Sequence, residues 1–357
     1  MSKTVQADEQ GFVFRMEEGE DGLPLAGVFW THVVARQDFT QTDKIDEVDV
    51  PVEVAPPPLP DFDETPIPSQ LPPVSLDFEA IRQLVPPGTP IKTLLDGLRT
   101  DDPPLEPISP QHWVHRVFNE TYFRARPPVI GKAAREEASF IFEVLGLSQQ
   151  DRVLDAGCGF GRIAIPLAEL GAQVVAMDIS VDMTSKTLAF AKEAKVDIDV
   201  REGDFRRSHY HEAFDAIVCA DTTFGSYSDS DNLSTLQAFF ESLKPGGHLY
   251  LEVINRDSCI RELPGRTWWE GRGCLVQEDS EFVDVTSRVK VKRLVVTAEG
   301  GQDEHWVDLR LYSYHELHAM LTMMGFDVTA TSGSFRTKGA FFATHSQRIA
   351  IVARKRA

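Results

Sequence analysis

The chain has 357 residues, 42% hydrophobic and 25% charged, which is enough for one large core with an accessory region or for two modest domains. A formal charge of −19 opposes nucleic acid and anionic lipid, whose binding is driven by clustered Lys and Arg, and the basic end Arg354, Lys355, Arg356 reads as a solvated terminus. No apolar run approaches the ~20 residues that cross a bilayer, the polar start MSKTVQADEQ has no secretory signal, and Cys158, Cys219, Cys259 and Cys274 lack C-x-x-C spacing, so the expectation is a soluble, cytoplasmic protein without disulfides.

Residues 1–55 hold β-rich runs, GFVFRM, GVFWTHVVARQ and VDVPVEV, and predict a small hairpin-like element. Prolines then crowd the chain through 56–76, which reads as an extended linker because so few backbone donors remain. Residues 77–132 predict a helical segment packed on the domain C-terminal to it, with two short stretches broken by PPG and a third, PQHWVHRVFNETYFRA, apolar at helical intervals over 110–125. From residue 133 to the end, helices alternate with apolar strands: DRVLDAG, AQVVAMD, VDIDVREGD, FDAIVCA and HLYLEVI. That alternation predicts a doubly wound α/β domain with a mainly parallel, Rossmann-like sheet. β-like runs from about 281 to 313 interrupt it, within an insertion spanning about 256–313, before the helix YHELHAMLTMMG and the strands FDVTAT and QRIAIVARK.

The segment Asp155-Ala156-Gly157-Cys158-Gly159-Phe160-Gly161-Arg162 follows a strand and opens a helix, where glycines let a ligand approach the backbone. A dinucleotide fingerprint needs glycine where Arg162 stands, and no G-K-[ST] follows, so nicotinamide cofactors and nucleotide triphosphates fit poorly. Downstream, Asp178 ends the second strand, Gly203-Asp204-Phe205 follows the third, and Leu243-Lys244-Pro245-Gly246-Gly247 precedes the fifth.

In this order these features resemble the class I S-adenosyl-L-methionine (SAM)-dependent methyltransferases, whose sheet is seven-stranded. The similarity covers roughly residues 115–357. The resemblance implies SAM as cofactor, held by Tyr122, Asp155, Gly157, Cys158, Gly159, Gly161, Arg162, Asp178, Ile179, Met183, Asp204, Phe205 and Ala220. Asp178 would accept both ribose hydroxyls, Asp204 would face the adenine amine and Phe205 would lie against the ring. Tyr122 would cover the methionine end, and Arg162, or its rivals Arg124 and Arg126, would pair with the methionyl carboxylate. Base-modifying members carry [DN]-P-P-[YF] after the fourth strand; here that place reads Cys219-Ala220-Asp221-Thr222-Thr223-Phe224, so a flipped base is not expected. The segments TTFGSYSD and LRLYSYHEL are similar instead to the glycine and sugar N-methyltransferase-like branch, which acts on small molecules.

Methyl transfer is an in-line displacement in which alignment and exclusion of water supply most of the acceleration, so a dedicated base is optional. The insertion is expected to act as a substrate lid over the carboxyl ends of the strands. Candidates for its pocket are Tyr227, Asn255, Arg256, Trp268, Trp269, Arg288, His305, Arg310 and Tyr312. Tyr122, Arg310 and Tyr312 are the first choices for catalytic contacts, with an N or O atom of a small molecule as methyl acceptor. No His, Cys and carboxylate cluster has metal-ligand spacing, so no metal is expected. Two other readings stay open: a catalytically inactive SAM-fold protein that binds a partner through its N-terminal region, and a SAM-fold enzyme of other chemistry. A homo-oligomer, or a lid supplied in trans, would give the first 110 residues a role.

Overall fold

The computed structural model describes residues 108–109, 112–126, 131–207, 210–263 and 265–356, together with the backbone of Lys3–Ala7 and Val13–Glu17. The chain divides into two units, Met1–Asp102 and Pro103–Ala357. In the first, Lys3–Ala7 (β1) and Val13–Glu17 (β2) pair antiparallel, and β2 falls on the run GFVFRM. The other β-rich runs, the proline-rich stretch and the helices expected between 77 and 98 lie outside the described residues.

The second unit opens with Trp113–Val117 (α1), Glu120–Ala125 (α2) and Lys132–Val144 (α3). The single helix expected over 110–125 is broken because Asn119 turns extended and its side chain caps Tyr122 N at 3.0 Å. Then follow Arg152–Ala156 (β3), Ala164–Glu169 (α4), Gln173–Asp178 (β4), Val181–Ala194 (α5), Asp199–Glu202 (β5), Phe214–Cys219 (β6), Asp229–Ser242 (α6) and Leu243–Ile254 (β7). After the short helix Arg256–Cys259 (α7) come Gly265–Gly271 (β8), Cys274–Val283 (β9), Arg288–Thr297 (β10) and Gln302–Arg310 (β11). Tyr314–Met323 (α8), Phe326–Ser332 (β12) and Arg348–Lys355 (β13) complete the unit.

Seven strands form one sheet in the order β12-β13-β7-β6-β3-β4-β5, as expected of a doubly wound domain. β7, β6, β3, β4 and β5 run parallel, with Leu154 opposite Val175 on one side and Ile217 on the other; β13 alone is antiparallel, set between β7 and the edge strand β12. Alternation along each strand feeds two cores. Leu154, Val175, Ile217, Leu249 and Ile351 pack toward α6 and α8, while Val153, Val174, Val218, Tyr250 and Val352 pack toward α3 and α4. Residues 244–247 loop out of register between the pairs Phe214–Leu243 and Ala216–His248, which is how the predicted PGG turn is accommodated.

The chain runs outward from β3 through β4 and β5, then crosses to β6 on the other side of β3. This reversal opens a crevice at the carboxyl ends of β3 and β6, the place where open α/β sheets take ligands. The insertion is a four-stranded antiparallel sheet, β11-β10-β9-β8. Its strands begin at Gly265, earlier than the β-like runs expected from about 281, because the run RTWWEGRGCLVQEDSE turns tightly at Gly273 (φ 65°) without the polar–apolar alternation that announces a hairpin.

Candidate cofactor and acceptor site

The turn after β3 wraps over the end of β4: Gly157 N and Cys158 N both donate to Met177 O, at 2.8 and 3.1 Å. Gly157, Gly159 and Gly161 all have positive φ, 78°, 56° and 84°. At Gly157 a Cβ would lie 2.3 Å from Thr223 Cγ2 of the β6–α6 loop, so only glycine lets the two sides of the crevice close on each other. Gly159 is different, since nothing lies within 4 Å of where its Cβ would be. Bare backbone there borders open space.

Asp178 braces the same turn. Its Oδ2 accepts from Gly159 N and its Oδ1 from Ser180 N, both at 2.9 Å, and each oxygen keeps a second lone pair. Burial raises its pKa while those backbone donors oppose the shift. Asp155, one strand over, is 3% exposed, and its Oδ2 has no hydrogen-bond partner among the described residues. Burial pushes this carboxyl up to about 7, against the pull of Arg162. A buried, underbonded carboxylate beneath the glycine turn suits a ligand whose amino-acid end carries positive charge. Ile179, next along, stays partly open at the rim.

Tyr122 enters from α2, its ring edge-on to Phe118 at 5.0 Å. Burial raises its phenol, and the charges acting on it are those of Arg126, Asp221, Arg293 and Glu278. The Arg293 guanidinium of the lid stands 5.6 Å from the Tyr122 ring, so Tyr122 borders a recess between α2 and the lid.

Several expected side chains point elsewhere. Met183 is 1% exposed and Phe205 4%, the latter packed between Tyr227 and Phe239, so neither ring nor thioether is open to a ligand as expected; Cys158 and Ala220 are likewise buried. Burial drives the Cys158 thiol well up, leaving it neutral. Asp204 is gripped by Arg206, whose Nε and Nη2 donate to it at 3.0 and 2.7 Å. Arg162 is committed to Glu137 of α3 through both guanidinium nitrogens. Arg124 turns to Glu299 and to the carbonyls of Arg272 and Gly273. Arg126 alone of the three stays exposed, stacked 5.3 Å over Trp269 with no ion pair among the described residues.

The lid return also differs from expectation. Tyr312 is 2% exposed, packed on Phe224, its hydroxyl accepting from Asn232 Nδ2 at 2.9 Å. Arg310 is held by Asp229 at 3.2 Å and Glu316 at 2.7 Å. Both residues fasten the lid to α6 and α8 and offer little to an acceptor. Tyr227 and Asn255 are buried, Arg256 pairs with Asp257 and Glu316, Arg288 pairs with Asp308, and Trp269 donates to Ala125 O at 2.8 Å. Trp268 alternates to the opposite face of β8.

What sequence reasoning missed is the charged wall of the recess. Asp221 at the end of β6 has a φ of 54°, and Thr222 has 63°, a strained pair of non-glycine residues at a strand end. Arg348 from β13 reaches both, 3.2 Å to Asp221 and 2.8 Å to Thr222 Oγ1. Enclosure raises the Asp221 carboxyl, but the guanidiniums of Arg162, Arg348 and Arg126 win and hold it below the ordinary carboxylate value. No local sequence signal marks Asp221, Thr222 or Arg348, which come from two distant segments. Among the described residues no group of three or more His, Cys, Asp or Glu could hold a metal, and no helix is long and apolar enough to cross a membrane.

Residues 153–247 match the methyltransferase domain family. The chain is 28% identical over 194 residues to the cypemycin N-terminal methyltransferase of a Streptomyces species, covering 51% of this chain and 75% of that one. It is 32% identical over 152 residues to the glycine/sarcosine N-methyltransferase of Aphanothece halophytica, covering 42% of this chain and 57% of the relative. The CcbJ methyltransferase of Streptomyces caelestis shares the fold, with a TM-score of 0.59 at 22% identity over 70% of this chain and 100% of that one. With the glycine turn, Asp178 and the seven-stranded sheet in place, residues 153–247 form a methyltransferase domain of the class I SAM-dependent type, whose cofactor is SAM.

Proposed function

We propose that this enzyme methylates an N or O atom of a small-molecule acceptor by in-line displacement. The carrying observation is that, at the carboxyl ends of β3 and β6, the glycine turn closes on Thr223 of the β6–α6 loop while Tyr122 lies 5.6 Å from the lid residue Arg293. The glycine and sarcosine relative, and the negative charge of the chain, support a small acceptor over nucleic acid.

Gly157, Gly159 and Gly161 would cradle the cofactor, Asp178 would take its ribose, Asp204 and Ile179 would border its base, and Arg126 would pair with its carboxylate. When bound, SAM would supply a sulfonium methyl group for the acceptor's lone pair, with the carbon–sulfur bonding pair left on sulfur and the acceptor's proton released. Tyr122, protonated at neutral pH because burial raises it, would close the methionine end and exclude water. Asp221 stays ionised and would steady positive charge at the acceptor atom before the proton leaves.

The test is a calorimetric titration of the protein and of Asp178→Ala with SAM, S-adenosylhomocysteine and NAD. Binding of the two adenosyl ligands and not of NAD, with at least a tenfold loss in the variant (roughly 1.4 kcal/mol, the scale of a hydrogen bond to a charged group), is the expected result. A folded protein that binds neither adenosyl ligand would overturn the reading.

A further inference from the structure

The buried face of the lid carries a row of polar side chains that cofactor binding leaves unused. Cross-strand register sets Thr267 opposite Glu278, Glu278 opposite Arg293, and Arg293 opposite His305. The neighbouring row, Arg266, Asp279, Lys292 and Trp306, alternates to the other face. Exposure identifies the inner one: His305 is 6% exposed and Trp306 55%. A depression of 520 Å³ on that outer face, lined by Asp279, Lys292 and Trp306, is therefore separate from the recess.

Along the inner face the polar row lies between two apolar patches, Cys274, Val276 and Val295 on one side and Val289 and Leu309 on the other. Polar groups in such a setting are costly unless bonded. Glu278 meets part of the need, its Oε1 lying 2.6 Å from both Nε and Nη2 of Arg293. The rest is unmet: Arg293 Nη1 and both ring nitrogens of His305 have no hydrogen-bond partner among the described residues. His305 Nε2 lies 2.9 Å from the Asp303 carboxylate.

The Arg293 end of the row faces the recess, its guanidinium carbon 5.6 Å from the centre of the Tyr122 ring, and His305 lies directly across the strand pair from it. Charge then selects the chemistry of the missing partner. Glu278 already neutralises Arg293, and burial lowers the His305 imidazole below its ordinary value, so it is neutral at pH 7. An anion placed here would sit beside the Glu278 carboxylate with its own charge uncompensated. A neutral oxygen would accept from Arg293 Nη1 and from the single N–H of the neutral imidazole at no such cost.

We propose that Arg293 and His305 form a docking point on the lid for a hydroxyl or carbonyl oxygen of the methyl acceptor, at a distance from the atom that is methylated. This rests on the methyl-transfer reading above and adds to it the class of acceptor: a molecule bearing a neutral oxygen besides its methylated atom.

The test uses the full chain saturated with S-adenosylhomocysteine and follows, by ligand-observed NMR titration, cyclohexylamine, 3-aminocyclohexanol and 3-aminocyclohexanecarboxylate. The hydroxyl probe is expected to bind about tenfold tighter than cyclohexylamine, the worth of one hydrogen bond to a charged donor, and tighter than the carboxylate. His305→Phe, and the charge-neutral double variant Glu278→Gln/Arg293→Met, should erase that advantage while leaving cyclohexylamine and S-adenosylhomocysteine affinities unchanged. Equal binding of the probes, preference for the carboxylate, no saturable binding of any probe, or an advantage that survives in both variants overturns the proposal. Failure of S-adenosylhomocysteine itself to bind would overturn the cofactor reading first, and the proposal with it.

Discussion

Replacing Asp155 by Asn reports directly on the strain stored beneath the glycine turn. Burial is the main cause that lifts this carboxyl from 3.8 to about 7, with the nearby Asp178 and Glu137 adding to it and Arg162 and the Ala164 N–H opposing. A folded-state value above the unfolded one means that the folded chain holds the proton more tightly. The stabilisation is therefore complete below the unfolded value and is lost as pH rises through the folded one. Across the whole window the shift corresponds to roughly 4 kcal/mol, and between about pH 5.5 and pH 8 to roughly 2 kcal/mol. Asn at this position has no proton to lose, so the unfolding free energy of Asp155→Asn relative to the wild type should rise by about 2 kcal/mol over that interval. Urea unfolding of both proteins at the two pH values, monitored by tryptophan fluorescence, measures it. Parallel stability profiles would refute the argument, since they would mean that Asp155 is ionised throughout. The same reasoning predicts that binding a cationic ligand near this carboxylate expels a proton at neutral pH. The apparent binding enthalpy of SAM should then differ between phosphate and Tris buffers in the wild type and not in the variant.

Particular contacts carry other consequences. Gly157→Ala should destabilise by about 2 kcal/mol or more, combining left-handed backbone strain with the clash against Thr223, and adding Thr223→Ala should recover the steric part in a thermal unfolding comparison. Arg126→Met should weaken SAM binding roughly tenfold in a calorimetric titration, while Arg124→Met, whose guanidinium serves the β8–β9 turn, changes it less than about twofold. Arg162→Met should cost about 3–5 kcal/mol of stability by leaving Glu137 buried and unpaired, and Glu137→Gln in the same chain should restore most of it. Tyr312→Phe should cost about 1 kcal/mol of stability with methyl transfer unchanged, because Asn232 keeps its second acceptor, Tyr227 O.

The fold and the glycine turn were legible because their signals are local. Strand and helix periods, the glycines that a turn with positive φ demands, and an acidic residue at a strand end all lie within a few residues of one another, so Gly157, Gly159, Gly161 and Asp178 could be named from the chain alone. The resemblance carried Tyr122 to the edge of the recess in the same way. It failed at Phe205 and Met183, whose burial depends on how α5 and α6 pack and not on their own segments.

The acceptor half was decided by tertiary structure. Arg310 and Tyr312 look like site residues in sequence because they end the lid, yet Asp229, Glu316 and Asn232 from two other helices draw them into a joint. Conversely, Asp221, Arg348, Glu278 and Arg293 carry no motif. They become a charged wall only because β6, β13, β9 and β10 bring distant residues to one recess, and which face of a lid strand turns inward depends on what the sheet packs against. Periodicity and turn chemistry are short-range and are written in the chain itself; partner identity across the recess is long-range, and only the folded chain supplies it.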